Sequence, residues 1–167
     1  KDGFRWGLRR DLIGETHDEL GGSEYFSMLA AVGNAVPRVN VKKNARAYKA
    51  LSKAMHAGFV ASATPVGRGG LAAALAKAAV AGQLGADINL KKIPGTVKQS
   101  DSILFSESQG RVIVTVRPGL EKAFEKLLAT VAQKKIGVVA AKDLSISLPS
   151  SKIKMSIQKL TSAYRAT

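Results

Sequence analysis

Two hydrophobic rhythms divide this chain of 167 residues. Where apolar or β-branched residues crowd a short run, as in Arg111-Val112-Ile113-Val114-Thr115-Val116, the pattern is that of a strand. Residues 59–63, 86–90, 136–141, 144–148 and 151–154 read the same way, and residues 103–105 look like a strand entering a sharp loop. Where apolar residues recur every three or four positions the pattern is helical. From Asn44 as cap to about Ala57, Tyr48, Leu51 and Met55 share such a face. Residues 70–81 are alanine, leucine and valine on nearly every side, which predicts a buried helix whose small side chains permit close approach to a sheet. Gly82 and Gly85 break it. Pro118 stands where a further helix begins, with Ala123, Phe124, Leu127, Leu128 and Val131 as its buried face and Lys134-Lys135 as its end. Ser23, with Glu24 in the first turn, caps a short helix through Ala31, and Ser156 caps the last one to about Ala166. Residues 1–14, ending in Leu12-Ile13-Gly14, read as the tail of something else. The alternation predicts one α+β or α/β domain from about residue 20 onward.

Composition narrows the function classes. The chain has no cysteine and two histidines, His17 and His56, which excludes thiolate catalysis and disulfides and argues against a histidine metal site. The longest apolar run is interrupted by Lys77 and is short of a membrane span, so no membrane partner is expected. The opening Lys-Asp-Gly shows neither an initiator Met nor a signal pattern, and the expectation is a piece of a longer cytoplasmic polypeptide. Net charge is +14, unevenly spread: residues 1–24 carry four basic and six acidic side chains, whereas residues 25–86 carry eight basic and no acidic ones. Such a region attracts a phosphorylated metabolite, a nucleic acid or an acidic protein face.

Three places offer chemistry. In Thr64-Pro65-Val66-Gly67-Arg68-Gly69-Gly70-Leu71 a strand stops, glycines follow and a helix begins. The free N–H groups of a helix start favour an anion, and Gly67, Arg68, Gly69 and Gly70 are candidate phosphate contacts; equally, the glycines let strand and helix pack closely. In Ser106-Glu107-Ser108-Gln109-Gly110, hydroxyl, carboxylate and amide groups gather between two predicted strands, either as a hairpin turn or as a grip on ribose hydroxyls or a phosphate. The carboxylates Asp18, Glu19 and Glu24 are metal or substrate ligands on one reading, and capping or solvated charge on the other. Lys42, Arg46, Lys49, Lys53 and His56 make one basic helical stripe, a solvated face or a nucleic-acid contact.

Taken together, three motifs carry a resemblance: Leu12-Ile13-Gly14-Glu15-Thr16 with Asp18-Glu19-Leu20-Gly21-Gly22-Ser23-Glu24-Tyr25, the Gly69-Gly70-Leu71 helix start with Ala81-Gly82 and Gly85-Ala86, and Leu104-Phe105-Ser106-Glu107-Ser108-Gln109-Gly110-Arg111. In that order they look like the closing part of the phosphoribosylformylglycinamidine synthase family, within the aminoimidazole ribonucleotide synthetase superfamily. The resemblance implies an α+β, α/β/α layered C-terminal domain with a mixed sheet flanked by helices, residues 20–167, after the tail of an ATP-binding N-domain, residues 1–19. It implies a carbon–nitrogen ligase of purine biosynthesis. ATP phosphorylates the amide oxygen of formylglycinamide ribonucleotide, and ammonia displaces the phosphate to give the amidine. ATP and Mg²⁺ would be bound mainly outside this chain, and a glutaminase domain or subunit would supply ammonia, in keeping with the missing cysteine.

In relatives the glycine loop usually reads His-Asp-x-Ser-Asp/Glu-Gly-Gly-Leu, so Thr64, Pro65 and Arg68 are departures. Arg68 becomes an added phosphate contact on this reading. The expected binding set for a phosphoribosyl substrate or a nucleotide is Ser106, Glu107, Ser108, Gln109, Gly67, Arg68, Gly69 and Gly70, with no catalytic or metal-binding residue. No general base is evident, and the fragment alone is expected to be inactive, completed by the remaining synthetase domains. The competing function is a non-catalytic basic domain that holds an anionic partner such as nucleic acid.

Overall fold

The computed structural model describes residues 7–140 and 142–166. In chain order they form β1 (Arg9–Ile13), α1 (Glu24–Met28), α2 (Val41–His56), β2 (Val60–Pro65), α3 (Gly70–Gly82), β3 (Gly85–Asn89), α4 (Ser100–Phe105), β4 (Val112–Val116), α5 (Glu121–Leu127), β5 (Gln133–Ala140), β6 (Asp143–Ser147), β7 (Lys152–Ser156) and α6 (Ile157–Arg165). The strands make one mixed seven-stranded sheet, β2-β4-β1-β5-β3-β6-β7, antiparallel at every pairing except β3 with β6.

Strand alternation sorts side chains between two cores. Leu12 and Ile113 face the α3 side, where Leu71, Leu75 and Ala79 of α3, Ile103 and Leu104 of α4, and Ile157 and Leu160 of α6 are buried. Ile13, Val112, Val114 and Val116 face the other side, against Ala47, Leu51 and Ala54 of α2 and Phe124 of α5. Helices therefore cover both faces, the expected α/β/α layering. Arg9 holds buried Asp11 through two nitrogens, at 2.6 and 2.7 Å, and reaches Glu125 of α5 at 2.5 Å.

Several local expectations change. The apolar pair Leu12-Ile13 is not a tail: β1 lies inside the sheet between β4 and β5, one of its side chains serving each core. The sheet thus begins well before residue 20. Residues 1–6 of the expected tail lie outside the described residues, as does Ala141 at the end of the expected strand 136–141.

Residues 103–105 belong to helix α4, not to a hairpin strand; three apolar residues are too few to fix a period, and burial against α3 selected the helix. Helix α2 starts earlier than expected, because Asn40 is the cap, its side-chain oxygen accepting from the Lys43 N–H at 3.0 Å. Its buried face is Ala47, Leu51 and Ala54, while Tyr48 and Met55 stay half-exposed. Small residues win there because the helix packs closely on β4 and α5. In α5, Phe124 is buried but Ala123 is exposed, and Lys134 and Lys135 lie in β5 rather than ending the helix. Helix α1 ends at Met28, short of Ala31, but Ser23 and Ser156 cap as expected, accepting from the Phe26 and Lys159 N–H groups at 3.2 Å.

Candidate functional site

Both β1 and β2 run antiparallel to β4, so they point the same way. The ends of β1 and β2 and the beginning of β4 consequently meet at one edge of the molecule, where Ile13 and Pro65 both pair with Val112. The chain there carries all three singled-out segments. Arg111 ties two of them together. Fully buried, it donates from Nε to the Ser108 carbonyl at 2.9 Å, from Nη1 to Thr16 Oγ1 at 3.1 Å, and from Nη2 to the Ser106 carbonyl. Burial pushes the guanidinium down to about 10 against the attraction of Glu19 and Glu107, which leaves it charged at neutral pH. Ser106 and Ser108 are also buried, their hydroxyls accepting from the backbone N–H of Glu19 at 3.3 Å and of His17 at 3.0 Å. They hold residues 17–19 against the loop.

Glu107 does something the sequence did not disclose. Its Oε1 accepts from the Gly69 N–H and from the Glu24 N–H, each at 2.9 Å. The anion in front of the glycine loop is therefore the protein's own carboxylate. Arg68 is likewise committed, donating from Nε to Glu24 at 2.6 Å. Gly70 serves packing: a Cβ there would stand 2.5 Å from the Leu104 carbonyl oxygen and 2.7 Å from that of Ser106. Gly70 packs closely, but on the end of α4 rather than on the strand before it; Gly67 is exposed. Glu107→Ala is expected to leave the domain folded, with a loss of about 1–2 kcal/mol in urea denaturation, because the exposed donor at Glu24 and the half-buried one at Gly69 can turn to water. Glu107→Gln, which keeps an acceptor, should recover part of it.

Gln109 and Gly110 turn the other way and line a cavity of about 190 Å³ at the start of α2. Arg38, Asn40, Lys43, Asn44 and Arg46 line it together with Glu15 and His17. Lys43 donates to Glu15 at 2.7 Å, and that ammonium holds the carboxyl below the usual carboxylate range, with His17 contributing. The His17 Nε2 lies 3.5 Å from the same carboxylate. An open groove continues past Arg38 and Glu19 to Lys42. Glu19 is buried; one oxygen accepts from the Arg38 N–H at 3.1 Å, and the other has no partner among the described residues. Asp18 accepts from Ser102 at 2.6 Å. Among the described residues no group of three His, Asp or Glu side chains is placed to hold a metal. Arg38 and Lys43 were outside the expected set. The signal for Lys43 was its pairing with Arg46, one turn apart just after the Asn40 cap; Arg38, in the loop before α2, had none.

A protein-family model for the C-terminal domain of AIR synthase related proteins matches residues 12–148. The chain belongs to that family. The PurL subunit of phosphoribosylformylglycinamidine synthase from Thermococcus gammatolerans is 43% identical over 112 residues, 67% of this chain and 16% of that protein. The PurL subunit from Nostoc is 33% identical over 165 residues, 92% of this chain and 21% of that protein. The chain thus spans about a fifth of the length of these relatives. Thermotoga maritima PurL shares the fold: solved with FGAR, it superposes at a TM-score of 0.82 with 19% identity over 94% of this chain and 28% of its own. Solved with ATP, it gives 0.69 with 20% identity over 93% and 25%. The α+β class expected from the motifs is the class found, and their order identified the family.

Proposed function

We propose that the chain is the closing C-terminal domain of a phosphoribosylformylglycinamidine synthase, and that its share of the work is to hold the phosphate of the phosphoribosyl substrate. The observation that carries this reading is the cationic cavity at the start of α2, reached by Gln109 of the Ser106–Gln109 motif and lined by Arg38, Lys43 and Arg46. The α2 N-terminus adds its own positive end, and arginine forks suit phosphate oxygens. Within the larger reaction, the γ-phosphoryl of ATP goes to the amide oxygen of formylglycinamide ribonucleotide and ammonia expels it as phosphate. In this chain, Ser106, Ser108 and Arg111 fix the wall, Glu107 sets the glycine loop, and Gln109 with the cations receives the substrate's phosphate.

ATP would be bound mainly by the preceding N-domain, with Mg²⁺; the donor set here fits a phosphate, and among the described residues there is no acidic cluster for the ion. On its own the chain should not turn over. His56 lies on the solvent face of α2 with Nδ1 beside the Ser52 carbonyl, and His17 contacts Glu15 and Thr96, so neither stands ready as a base. The remaining synthetase domains have an obvious landing place. Met28, Leu29, Val32, Val36, Val39 and Val41 are exposed along one segment next to the cavity, an apolar surface that marks an interface. A cytoplasmic assembly with a glutaminase completes the proposal; no helix among the described residues is long and apolar enough to cross a membrane.

The test is kinetic, in the complete synthetase with its glutaminase. Lys43→Met combined with Arg46→Met should raise KM for formylglycinamide ribonucleotide about tenfold or more while kcat changes less, since a ground-state phosphate contact is removed. An unchanged KM would sink the assignment. Salt-sensitive nucleic-acid binding by the isolated chain would favour the anionic-partner reading instead.

A further inference from the structure

The signature loops occupy one end of the sheet; the opposite end holds a second hollow. Leu8 and Arg10 at the start of β1, Thr115 and Arg117 at the end of β4, and the last turns of α3 border a groove of about 590 Å³. Arg10 shares the α3 face of the sheet with Leu12, and its neighbours across the ladders are Thr115 and Gly137. Opposite, α3 presents Ala78, Ala81 and Gly82, too small to fill the space.

Arg10 is 6% exposed, yet its Nε and Nη1 have no hydrogen-bond partner among the described residues. Among the described residues no carboxylate lines the groove. A buried guanidinium without a partner is costly, and its neighbour Arg9 is matched by Asp11 and Glu125. Burial holds the Arg10 side chain below its ordinary pKa, the direction a missing anion leaves it in. A second cation, Arg117, and the hydroxyls of Ser62, Thr64 and Thr115 line the same space, with Ser62 donating to Thr115 at 2.9 Å. Two positive charges and several hydroxyl groups call for a dianion with several oxygens, while Leu84 and Val139 offer an apolar wall to whatever carries it.

We propose that this groove is a second binding site, for a phosphate monoester with a small apolar body, in which Arg10 is the principal cation. It lies on the α3 face of the sheet, whereas the cavity at α2 lies on the other face, and the two share no lining residue. Phenyl phosphate is the probe, titrated calorimetrically into the 167-residue chain and read in parallel as a shift in melting temperature. The parent protein should bind it saturably, and more tightly than inorganic phosphate. Arg10→Met should weaken binding about tenfold or more and melt no lower than the parent, because it removes an unpaired buried charge. Ala78→Leu, which keeps Arg10 but fills the groove, should weaken binding likewise and serves if the first variant folds poorly. Lys43→Met with Arg46→Met should leave the Arg10-dependent binding intact, which separates this site from the proposed substrate cavity. No binding by the parent, or binding as tight as the parent's by the Arg10→Met or the Ala78→Leu variant, would overturn the proposal. So would a marked fall in the melting temperature of Arg10→Met, since Arg10 would then have a partner within the protein.

Discussion

Replacing Arg111 with methionine is expected to cost about 3 kcal/mol of stability, more than any other polar substitution at the loop end of the sheet. Two carbonyls, those of Ser106 and Ser108, and the Thr16 hydroxyl all accept from this one side chain, within a site where Arg111 is 1% exposed. A buried acceptor left unpaired costs about 1–3 kcal/mol, and relief from burying the charge offsets only part of three such losses. Methionine fills the space but donates nothing. Arg111→Lys should recover little, because one ammonium cannot reproduce the fork that spans Thr16 and both carbonyls. Urea denaturation followed by circular dichroism gives the free energy. A change below about 0.5 kcal/mol in Arg111→Met would mean that other contacts carry the loops. The same variant in the complete synthetase should lose activity through the displaced Gln109 and Gly110, which follow directly from the anchored residues.

Gly70→Ala is expected to lower stability by about 2 kcal/mol or more, for a steric reason. Gly70 has φ +65°, a conformation that L side chains rarely adopt. The added Cβ would press on three backbone atoms of residues 104–106, at 2.5 to 2.8 Å, and backbone cannot rotate away as a side chain can. Relief requires α3 to move off the end of α4. That movement would also pull Gly69 from Glu107, whose carboxylate accepts its N–H at 2.9 Å. Thermal melts compared with an exposed control, Gly67→Ala, isolate the effect: nothing lies within 4 Å of a Cβ built at Gly67. Equal melting of the two variants would show that the close approach of α3 and α4 is not needed.

The two substitutions mark where the sequence was and was not readable. The motif order was enough for the family, and the strand-like pattern of 111–116 was enough for β4, because an unbroken run of β-branched residues favours an extended, buried strand. The serine caps were legible for the same local reason: a hydroxyl three residues before a free N–H satisfies it wherever the helix lies. By contrast, the side-chain directions within Ser106 to Gln109 were not legible. Ser106 and Ser108 turned inward to residues 17 and 19, Glu107 turned to Gly69 and Glu24, and Gln109 turned to the cavity. Four adjacent side chains took three directions, and no spacing rule distinguishes them. The strand assigned to 103–105 failed because a short apolar run fits either period until a neighbour selects one.

By itself the sequence determined a domain of alternating strands and helices and the basic middle of the chain, through periodicity and composition, and its motif order determined the family, whose resemblance implied the layering of helices on a mixed sheet. Only the tertiary structure decided that β1 is an interior strand, that the glycine loop's anion is Glu107, and that Arg38 and Lys43 join Gln109 around one cavity. The physical reason is common to all three. Each depends on pairing between residues distant along the chain, and a hydrogen bond or ion pair of that kind is set by how the strands are ordered, which local pattern does not encode.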